Sequence, residues 1–256
     1  MRNSTLVVSC HGLAVERRRE RVIEGFSCRL QPGELTAVVG PNGAGKSSLL
    51  QALAGVLSPA AGRIDFGELD SAAIPVARRA QLCAYLPQAE VPAWSLAVRD
   101  FVALGLLPWG KRVDRQRRVA AALRQVDARG FSERPVTQLS GGELRRVQLA
   151  RLLVGEAPFL VADEPTAALD IRHQLQLMQN FRRQADSGRT VVLALHDLAL
   201  AARYCDRILL LERGRLRAEG VPADVLKPEL IGEVYGISCE LRWRDGVADF
   251  VPLDLL

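Results

Sequence analysis

Short apolar runs alternate with helical repeats along this chain and predict an ordered series of strands and helices. Residues 35–39 form one continuous apolar, β-branched run, which is typical of a parallel strand buried on both faces. After a glycine-rich segment, residues 48–54 predict a helix that stops at Gly55. Further early strands are predicted at residues 6–9, 22–30, 62–66 and 83–86.

Helical spacing dominates the middle of the chain, and the alternation of strand and helix returns after it. Val119, Leu123 and Val126 repeat at helical spacing. Later strands are predicted at residues 159–162, 190–195 and 208–211, and a short helix at 197–204. The longer helix between the first two of these strands has its apolar positions at Ile171, Leu175, Met178 and Phe181. Such alternation predicts an α/β fold in which helices cover a mainly parallel sheet.

These elements predict a main domain over residues 1–236, built from a core and an insertion. Residues 1–88 and 158–236 would form the α/β core, which starts with an antiparallel β part, and residues 89–157 an inserted helical subdomain. In the tail, residues 237–256, Asp245 and Gly246 stand between extended segments and indicate a β-hairpin. The chain is long enough to bury a sizeable core of this kind.

Composition narrows the function classes only a little. The net charge is +5, and the densest basic runs suit solvated helix faces or anionic lipid heads as well as nucleic acid. No nucleic-acid partner is expected. The five cysteines include no C-x-x-C pair, so neither a disulfide framework nor a zinc site is indicated. The apolar stretches fall short of the roughly 20 residues that span a bilayer, so no membrane-spanning helix is predicted.

The glycine-rich segment between the central strand and its helix carries the strongest chemical signal. It fits a phosphate-binding loop, in which backbone N–H groups and the positive end of the following helix meet an anion. The glycines let the main chain approach phosphates closely, Lys46 can reach the β and γ oxygens, and Ser47 a Mg²⁺ ion. The predicted nucleotide-binding residues of this loop are Gly40, Pro41, Asn42, Gly43, Ala44, Gly45, Lys46, Ser47 and Ser48.

Ser140 and Glu143 have both a structural and a functional interpretation. They form a capping box, which would start a helix in any fold. Gly141 and Gly142, however, weaken the first helical turn, and their benefit is an open helix N-terminus that a second phosphate group can contact.

Asp163, Glu164 and His196 are placed together by the predicted topology. The two carboxylates repel each other at the end of a strand, which is typical of a cation or reaction site, although a solvated turn would also tolerate them. His196 follows another strand, so it lies at the same carboxyl rim of the sheet. His11 and His173 have no such context, and Asp197 is expected to cap the next helix.

Together these motifs resemble the nucleotide-binding subunit of an ABC (ATP-binding cassette) transporter. Residues 40–47 match the Walker A loop of that family, residues 139–143 its signature sequence, and Asp163 the end of its Walker B strand. Gln88 and His196 fall where the family has its Q-loop and switch histidine. The resemblance covers about residues 5–236 and implies a P-loop NTPase core with an inserted helical subdomain.

The resemblance also implies an ATPase that uses ATP and Mg²⁺. Ser47, Gln88 and Asp163 would hold the metal, directly or through water. Glu164 would position and deprotonate the attacking water, with His196 and Gln88 completing the catalytic group. Two copies would pair head to tail, so that Ser140, Gly141 and Gly142 of one copy close over the nucleotide of the other. Leu169 and Asp170 resemble the D-loop, which touches the opposite subunit in that family, although Asp170 suits a helix cap equally well.

Three positions depart from the family pattern. The family usually stacks an aromatic residue on adenine after the first strand, where this chain has Arg17, whose planar face can also stack on a base. Ala168 stands where Ser is common in the D-loop, and Ala199 where related importers often have Asn. Neither of the two alanines removes a group from the reacting centre.

Several segments are similar to the importers of iron-siderophores, haem and cobalamin; they are residues 98–105, 195–207, 220–226 and 234–236. Haem or another iron chelate is therefore the leading cargo, with cobalamin as an alternative. The implied homodimer would lie on the cytoplasmic side of the inner (plasma) membrane. It would dock on a permease dimer, and a periplasmic or extracellular substrate-binding protein would deliver the cargo to that permease.

Apolar residues near Gln88 are candidates for permease contact or for the core of the insertion, namely Val91, Trp94, Leu96, Phe101, Leu106 and Trp109. A soluble ABC-type ATPase acting on ribosomes or DNA is the competing function. Proteins of those types usually join two cassettes or separate the motifs by long coiled coils or zinc elements, and this sequence shows neither feature.

Overall fold

The computed structural model describes residues 5–88, 95–110, 113–167, 169–244 and 247–255. Its strands are β1 (Val8–Arg17), β2 (Glu20–Leu30), β3 (Leu35–Val39), β4 (Ala61–Phe66), β5 (Leu69–Asp70), β6 (Cys83–Leu86), β7 (Phe159–Asp163), β8 (Thr190–Ala194), β9 (Arg207–Glu212), β10 (Arg215–Gly220), β11 (Ile237–Arg244) and β12 (Val247–Leu255). Its α-helices are α1 (Lys46–Leu53), α2 (Val76–Leu82), α3 (Val98–Ala103), α4 (Arg115–Gln125), α5 (Gly141–Leu153), α6 (Ile171–Asp186), α7 (Leu198–Tyr204), α8 (Pro222–Val225) and α9 (Pro228–Tyr235).

The central sheet has the strand order β10-β9-β3-β8-β7-β6 and is parallel except for β10 at its edge. Hydrophobic cores cover both of its faces. In β8, for example, Val191 and Leu193 enter the core on one side, while Val192 and Ala194 enter the core on the other. A strand buried on both faces must be apolar at every position, which explains the continuous runs in the sequence.

A second, antiparallel sheet forms the N-terminal part, with the order β2-β1-β4-β5. It packs over α1, whose Leu49, Leu50 and Leu53 are buried between this sheet and the central one. The sequence placed the first strand at residues 6–9, but β1 continues to Arg17 and pairs with β2 along its length. The helix after the glycine-rich loop begins at Lys46, two residues before the predicted start.

Helices α3, α4 and α5 pack on one another and lie between β6 and β7 in chain order. The α/β fold class with a mainly parallel sheet, an antiparallel N-terminal part and a helical insertion is thereby confirmed. Phe101 and Leu106 are buried in the core, so they are unavailable for permease contact. Leu96 and Trp109 pack partly against the same core, and Val91 and Trp94 lie outside the described residues.

Helix α6 departs from its prediction at one position. Met178 and Phe181 are fully buried and Leu175 partly so, as the apolar repeat predicts. Ile171, in contrast, is 76 % exposed. It is the first residue of the helix and precedes the turns that pack on the sheet.

Strands β11 and β12 form the predicted C-terminal hairpin, while its turn at Asp245 and Gly246 lies outside the described residues. The hairpin packs on α7 and α9, and its Cys239 and Phe250 belong to the main core. Across the described part of the chain, every helix is too short or too polar to cross a bilayer.

Candidate functional site

Three parallel strands end at one edge of the central sheet and bring their following loops together. Strands β3, β7 and β8 are neighbours in the order β3-β8-β7, so the loops after Val39, Asp163 and Ala194 meet at the same rim. A cavity of about 280 Å³ opens there. Its lining residues are Arg17, Val22, Asn42, Gly43, Ala44, Gly45, Lys46, Ser47, Ser48, Glu164 and His196. The loop predicted from the sequence thus forms most of the wall of this cavity.

Two positions of the loop after β3 require glycine. Gly40 and Gly45 have φ angles of 153° and 99°, and a Cβ on either would meet a carbonyl oxygen at 2.3 Å (Leu211) or 2.6 Å (Val22). Only glycine combines such a conformation with so close an approach. Gly45 is also the N-cap of α1, so the free N–H groups of that helix start at the cavity wall.

The side chain of Lys46 crosses the loop and binds the backbone at the start of that loop. Its Nζ donates to the carbonyl oxygens of Gly40 (2.7 Å) and Pro41 (3.1 Å). Burial lowers the pKa of Lys46, against the opposing effect of the nearby Glu164 and Asp163 carboxylates. The arrangement keeps a partly desolvated ammonium beside the glycines, where an incoming anion would be bound strongly.

Ser47 and Asp163 place two oxygen atoms side by side. Ser47 Oγ donates to Asp163 Oδ1 at 3.1 Å, and Asp163 is only 2 % exposed. Burial raises the pKa of Asp163, and the bond from Ser47 opposes that rise. Among the described residues, no three His, Cys, Asp or Glu side chains group closely enough to hold a metal by themselves. Mg²⁺ fits the pair nevertheless, because it keeps several waters and is often bound by one or two protein oxygens plus phosphates.

Glu164 joins two other candidates from the sequence. Gln88 Nε2 donates to its Oε2, and His196 Nε2 is hydrogen-bonded to its Oε1. The backbone of Glu164 has φ of 44°, a left-handed conformation that costs a non-glycine residue of the order of 1 kcal/mol and is commonest at functional sites. Its N–H donates to Ala194 O at 3.2 Å. The three residues predicted as the catalytic group therefore meet at the cavity.

The N-terminus of α5 lies apart from this cavity. Ser140 Oγ accepts from the N–H of Glu143 (3.3 Å), and the Glu143 carboxylate accepts from the N–H of Ser140 (2.8 Å), which completes a capping box. A Cβ on Gly141 would meet no atom within 4 Å. Neither Ser140 nor the two glycines line the cavity, so within one chain the two predicted phosphate-contacting elements form separate surfaces.

Other predicted residues take the following places. Arg17 lines the cavity, and the lining residues that the structure describes include no aromatic ring. Asp170 and Asp197 cap α6 and α7, accepting from the backbone N–H groups of His173 and Leu200. His173, for which no role is predicted, contacts the Asp170 carboxylate and lies beside Gly142 at the start of α5.

Arg145 is a residue near this site that sequence reasoning missed. It is buried, although it is charged, and it donates to main-chain carbonyls of the loops that carry Gln88 and Glu164. The signal in the sequence is weak but real. Arg145 lies four and seven residues before Leu149 and Leu152, so it belongs to the inward face of α5.

The sequence of this chain matches a known protein family and individual members of it. The model of a family described as ABC transporter matches residues 23–167, more than half of the chain. The chain belongs to the ABC transporter family. Hemin import ATP-binding protein HmuV of Pseudomonas entomophila is 45 % identical to it over 238 residues, covering 91 % of this chain and 93 % of the relative.

Two solved structures share the fold. An ABC transporter described as of metal-chelate type, in an inward-facing conformation, superposes with a TM-score of 0.83 at 24 % identity, covering 97 % of this chain and 98 % of the other. An ATP-binding cassette solved as a dimer in a post-hydrolysis state with ADP and Pi superposes with a TM-score of 0.75 at 25 % identity, covering 84 % and 98 %. The resemblance to ABC transporter subunits inferred from the motifs is confirmed, and this ABC chain is an ATPase that couples hydrolysis to transport.

Proposed function

We propose that this chain is the ATP-hydrolysing subunit of an importer that takes up haem or a related iron chelate through a separate membrane permease. The observation that carries the catalytic part is the cluster of Gln88, Glu164 and His196 at the rim of a cavity that also holds Lys46 and the Ser47–Asp163 pair. The cargo rests on the relatives, of which that from Pseudomonas entomophila is named for hemin import. Cobalamin is an alternative cargo.

Nucleotide binding follows from the shape and charge of the loop. The N–H groups of residues 43–48 would surround the β- and γ-phosphates at the start of α1, and Lys46 would exchange its carbonyl partners for phosphate oxygens. Arg17 also lines the cavity, and its planar guanidinium is the candidate to stack on the base. Ser47, Asp163 and Gln88 are the candidates to hold Mg²⁺, which would neutralise phosphate charge when bound.

Hydrolysis is proposed to use Glu164 as general base. The water oxygen attacks the γ-phosphorus, the bond from that phosphorus to the bridging oxygen breaks, and a water proton passes to Glu164. Gln88 and His196 bind the two oxygens of this carboxylate and would orient it toward the water. Positioning and charge stabilisation would supply most of the rate enhancement.

The separation of the α5 N-terminus from the cavity supports a functional dimer. In a head-to-tail pair, Ser140, Gly141 and Gly142 of one copy would close over the nucleotide bound to Lys46 of the other. The cassette solved as a dimer with ADP and Pi supports this arrangement. The pair would lie on the cytoplasmic face of the inner (plasma) membrane, docked on a permease dimer. A periplasmic or extracellular substrate-binding protein would deliver the cargo to that permease.

A complementation experiment tests the proposal as a whole. A strain lacking this chain receives the wild-type chain, Glu164→Gln, or the control Glu240→Gln, whose exposed side chain binds Arg242 on the C-terminal hairpin. We expect Glu164→Gln to bind ATP normally but to lose steady-state hydrolysis in the purified permease complex and haem uptake in cells, while Glu240→Gln keeps both. Undiminished hydrolysis in Glu164→Gln would exclude that residue as base. Unchanged haem and iron-chelate uptake in the deletion strain would refute the cargo.

A further inference from the structure

Arg145 connects helix α5 to the two loops that hold the proposed catalytic group. It is 7 % exposed, and its guanidinium donates to backbone carbonyl oxygens on both loops. The acceptors are Pro87 O (3.1 Å), Asp163 O (3.4 Å), Glu164 O (2.9 Å) and Pro165 O (2.9 Å). Gln148 Oε1, one turn further along α5, accepts from the same side chain at 3.1 Å and fixes its orientation.

These bonds bring together segments that lie far apart in sequence. Pro87 immediately precedes Gln88, and Glu164 carries the carboxylate that Gln88 binds. The planar guanidinium can satisfy several acceptors in fixed directions, which the single nitrogen of a lysine cannot. Arg145 therefore sets the distance between the Gln88 loop, the Glu164 loop and α5 at the same time.

The other end of the connection is the surface proposed to contact the partner. Arg145 stands five residues after Ser140 on the same helix, whose first turn is fixed by the capping box. A rigid helix transmits a displacement of its N-terminus along its length. If that N-terminus closes on a nucleotide held by a second copy, Arg145 would move with it and would carry along the carbonyls that it binds.

We propose that Arg145 is a positioning residue through which helix α5 sets the Gln88 and Glu164 side chains of its own site. This inference rests on the proposed function, since it assigns Arg145 a part in the same hydrolysis. Arg145 does not line the cavity, so it would act on the nucleotide only through these two residues. Its effect is on where Glu164 and Gln88 stand when the partner's nucleotide engages α5.

The test compares two arginines in the assembled permease complex. Arg145→Met removes the bonds to the site loops, and Arg182→Met removes comparable bonds, to Gly33 O and Asp206, at the opposite end of the central sheet. We expect Arg145→Met to lower kcat per titrated ATP site by at least about tenfold with KM for ATP changed less than about threefold, because geometry rather than binding is disturbed. Arg182→Met should keep both constants, even if both variants melt at a lower temperature.

A second variant and a second measurement separate positioning from charge and from folding. Arg145→Lys keeps the positive charge but loses the planar set of N–H donors. We therefore expect its kcat to be nearly as low as that of Arg145→Met. Hydrogen exchange should rise in Arg145→Met at residues 85–88 and 163–167 and stay unchanged at residues 40–48.

Wild-type kcat in Arg145→Met or Arg145→Lys, or equal losses per titrated site in Arg145→Met and Arg182→Met, would overturn the inference. The proposed function would still stand in each case, because the wild-type complex would still hydrolyse ATP. A wild-type complex without ATPase activity would instead refute the proposed function.

Discussion

The cavity at the rim of the central sheet and the N-terminus of α5 are both suited to phosphate, yet they are built in opposite ways. At the rim, the charged side chains of Lys46 and Asp163 are almost fully buried. At α5, Ser140 is exposed and its polar groups are satisfied by Glu143. The first surface is a cavity lined by charged groups of the loops after the strands. The second is an exposed helix start that lies outside that cavity.

The charges of the two regions show the same contrast. Burial lowers the pKa of Lys46 and raises that of Asp163, so folding disfavours the charged form of each. Backbone N–H groups at helix starts instead lower the pKa of Glu143 and of Asp170, so folding favours their charged forms. Buried groups whose pKa is shifted in this way are common at functional sites. Charges that cap helices need no ligand.

The largest effect is expected at the rim. Lys46→Ala should weaken ATP binding by the isolated chain by at least about 100-fold, because the site loses its buried cation beside the phosphates. Equilibrium binding of a fluorescent ATP analogue measures this, with circular dichroism as the check on folding. Lys227→Ala, at an exposed lysine before α9, is the matched control and should bind normally. Normal binding by Lys46→Ala would show that the cavity is not the phosphate site.

At α5 the loss should appear only after assembly. Ser140→Arg should leave ATP affinity of the isolated chain within about twofold of wild type, because Ser140 does not line the cavity. In the permease complex it should reduce ATPase activity by at least about 50-fold, because the long charged side chain fills the gap that a closing pair needs and leaves a charge buried. ATP titration and steady-state phosphate release measure the two values.

The control for this variant is Ser187→Arg, at an exposed serine beyond the C-terminal end of α6. Ser187 stands 14 residues after His173, which is about 20 Å along the helix, and His173 is the residue that lies beside Gly142. Full ATPase activity in assembled Ser140→Arg, or equal losses in the two variants, would show that the partner does not use the start of α5.

The two regions also differ in how well the sequence predicts them. Local rules predict β3, the loop after it and α1. A strand that is buried on both faces must be apolar, and only glycine can adopt the backbone conformations at Gly40 and Gly45. Helix α2 was missed because none of its residues is buried, so it has no apolar repeat. Ile171 was misplaced because an apolar residue in the first turn of a helix need not face the core.

Tertiary contacts set the remaining limit. The sequence predicts that Asp163, Glu164 and His196 lie close together. Each stands at the end of a parallel strand or just after one, and such strands end at one rim. The bonds from Arg145 to Pro87 and Glu164 span 58 and 19 positions and join backbone carbonyls, which carry no residue-specific pattern. A charged residue on the inward face of α5 was the available clue, and it shows only that acceptors exist.

The smallest expected effect concerns the capping box. Glu143→Gln keeps a side chain that can accept from the N–H of Ser140, so only the charge is lost. The pKa of Glu143 is lowered in the folded chain, first by the Ser140 N–H and less by Arg134, so its charge stabilises the fold above the unfolded-state pKa. Because the residue is partly solvated, we expect Glu143→Gln to lower the free energy of unfolding at pH 7 by only about 0.5 kcal/mol.

The pH dependence separates this charge effect from a packing effect. The contribution of Glu143 is fully present above its unfolded pKa and disappears as the pH falls through its lower folded value, so wild type and Glu143→Gln should converge only as the pH falls below about 4. Urea unfolding at about pH 7, 5, 4 and 3.5, as far as the chain stays folded, measures the convergence. A constant difference at every pH would mean that Glu143 acts through shape, and the charge contrast between the two regions would then rest on Lys46, Asp163 and Asp170 alone.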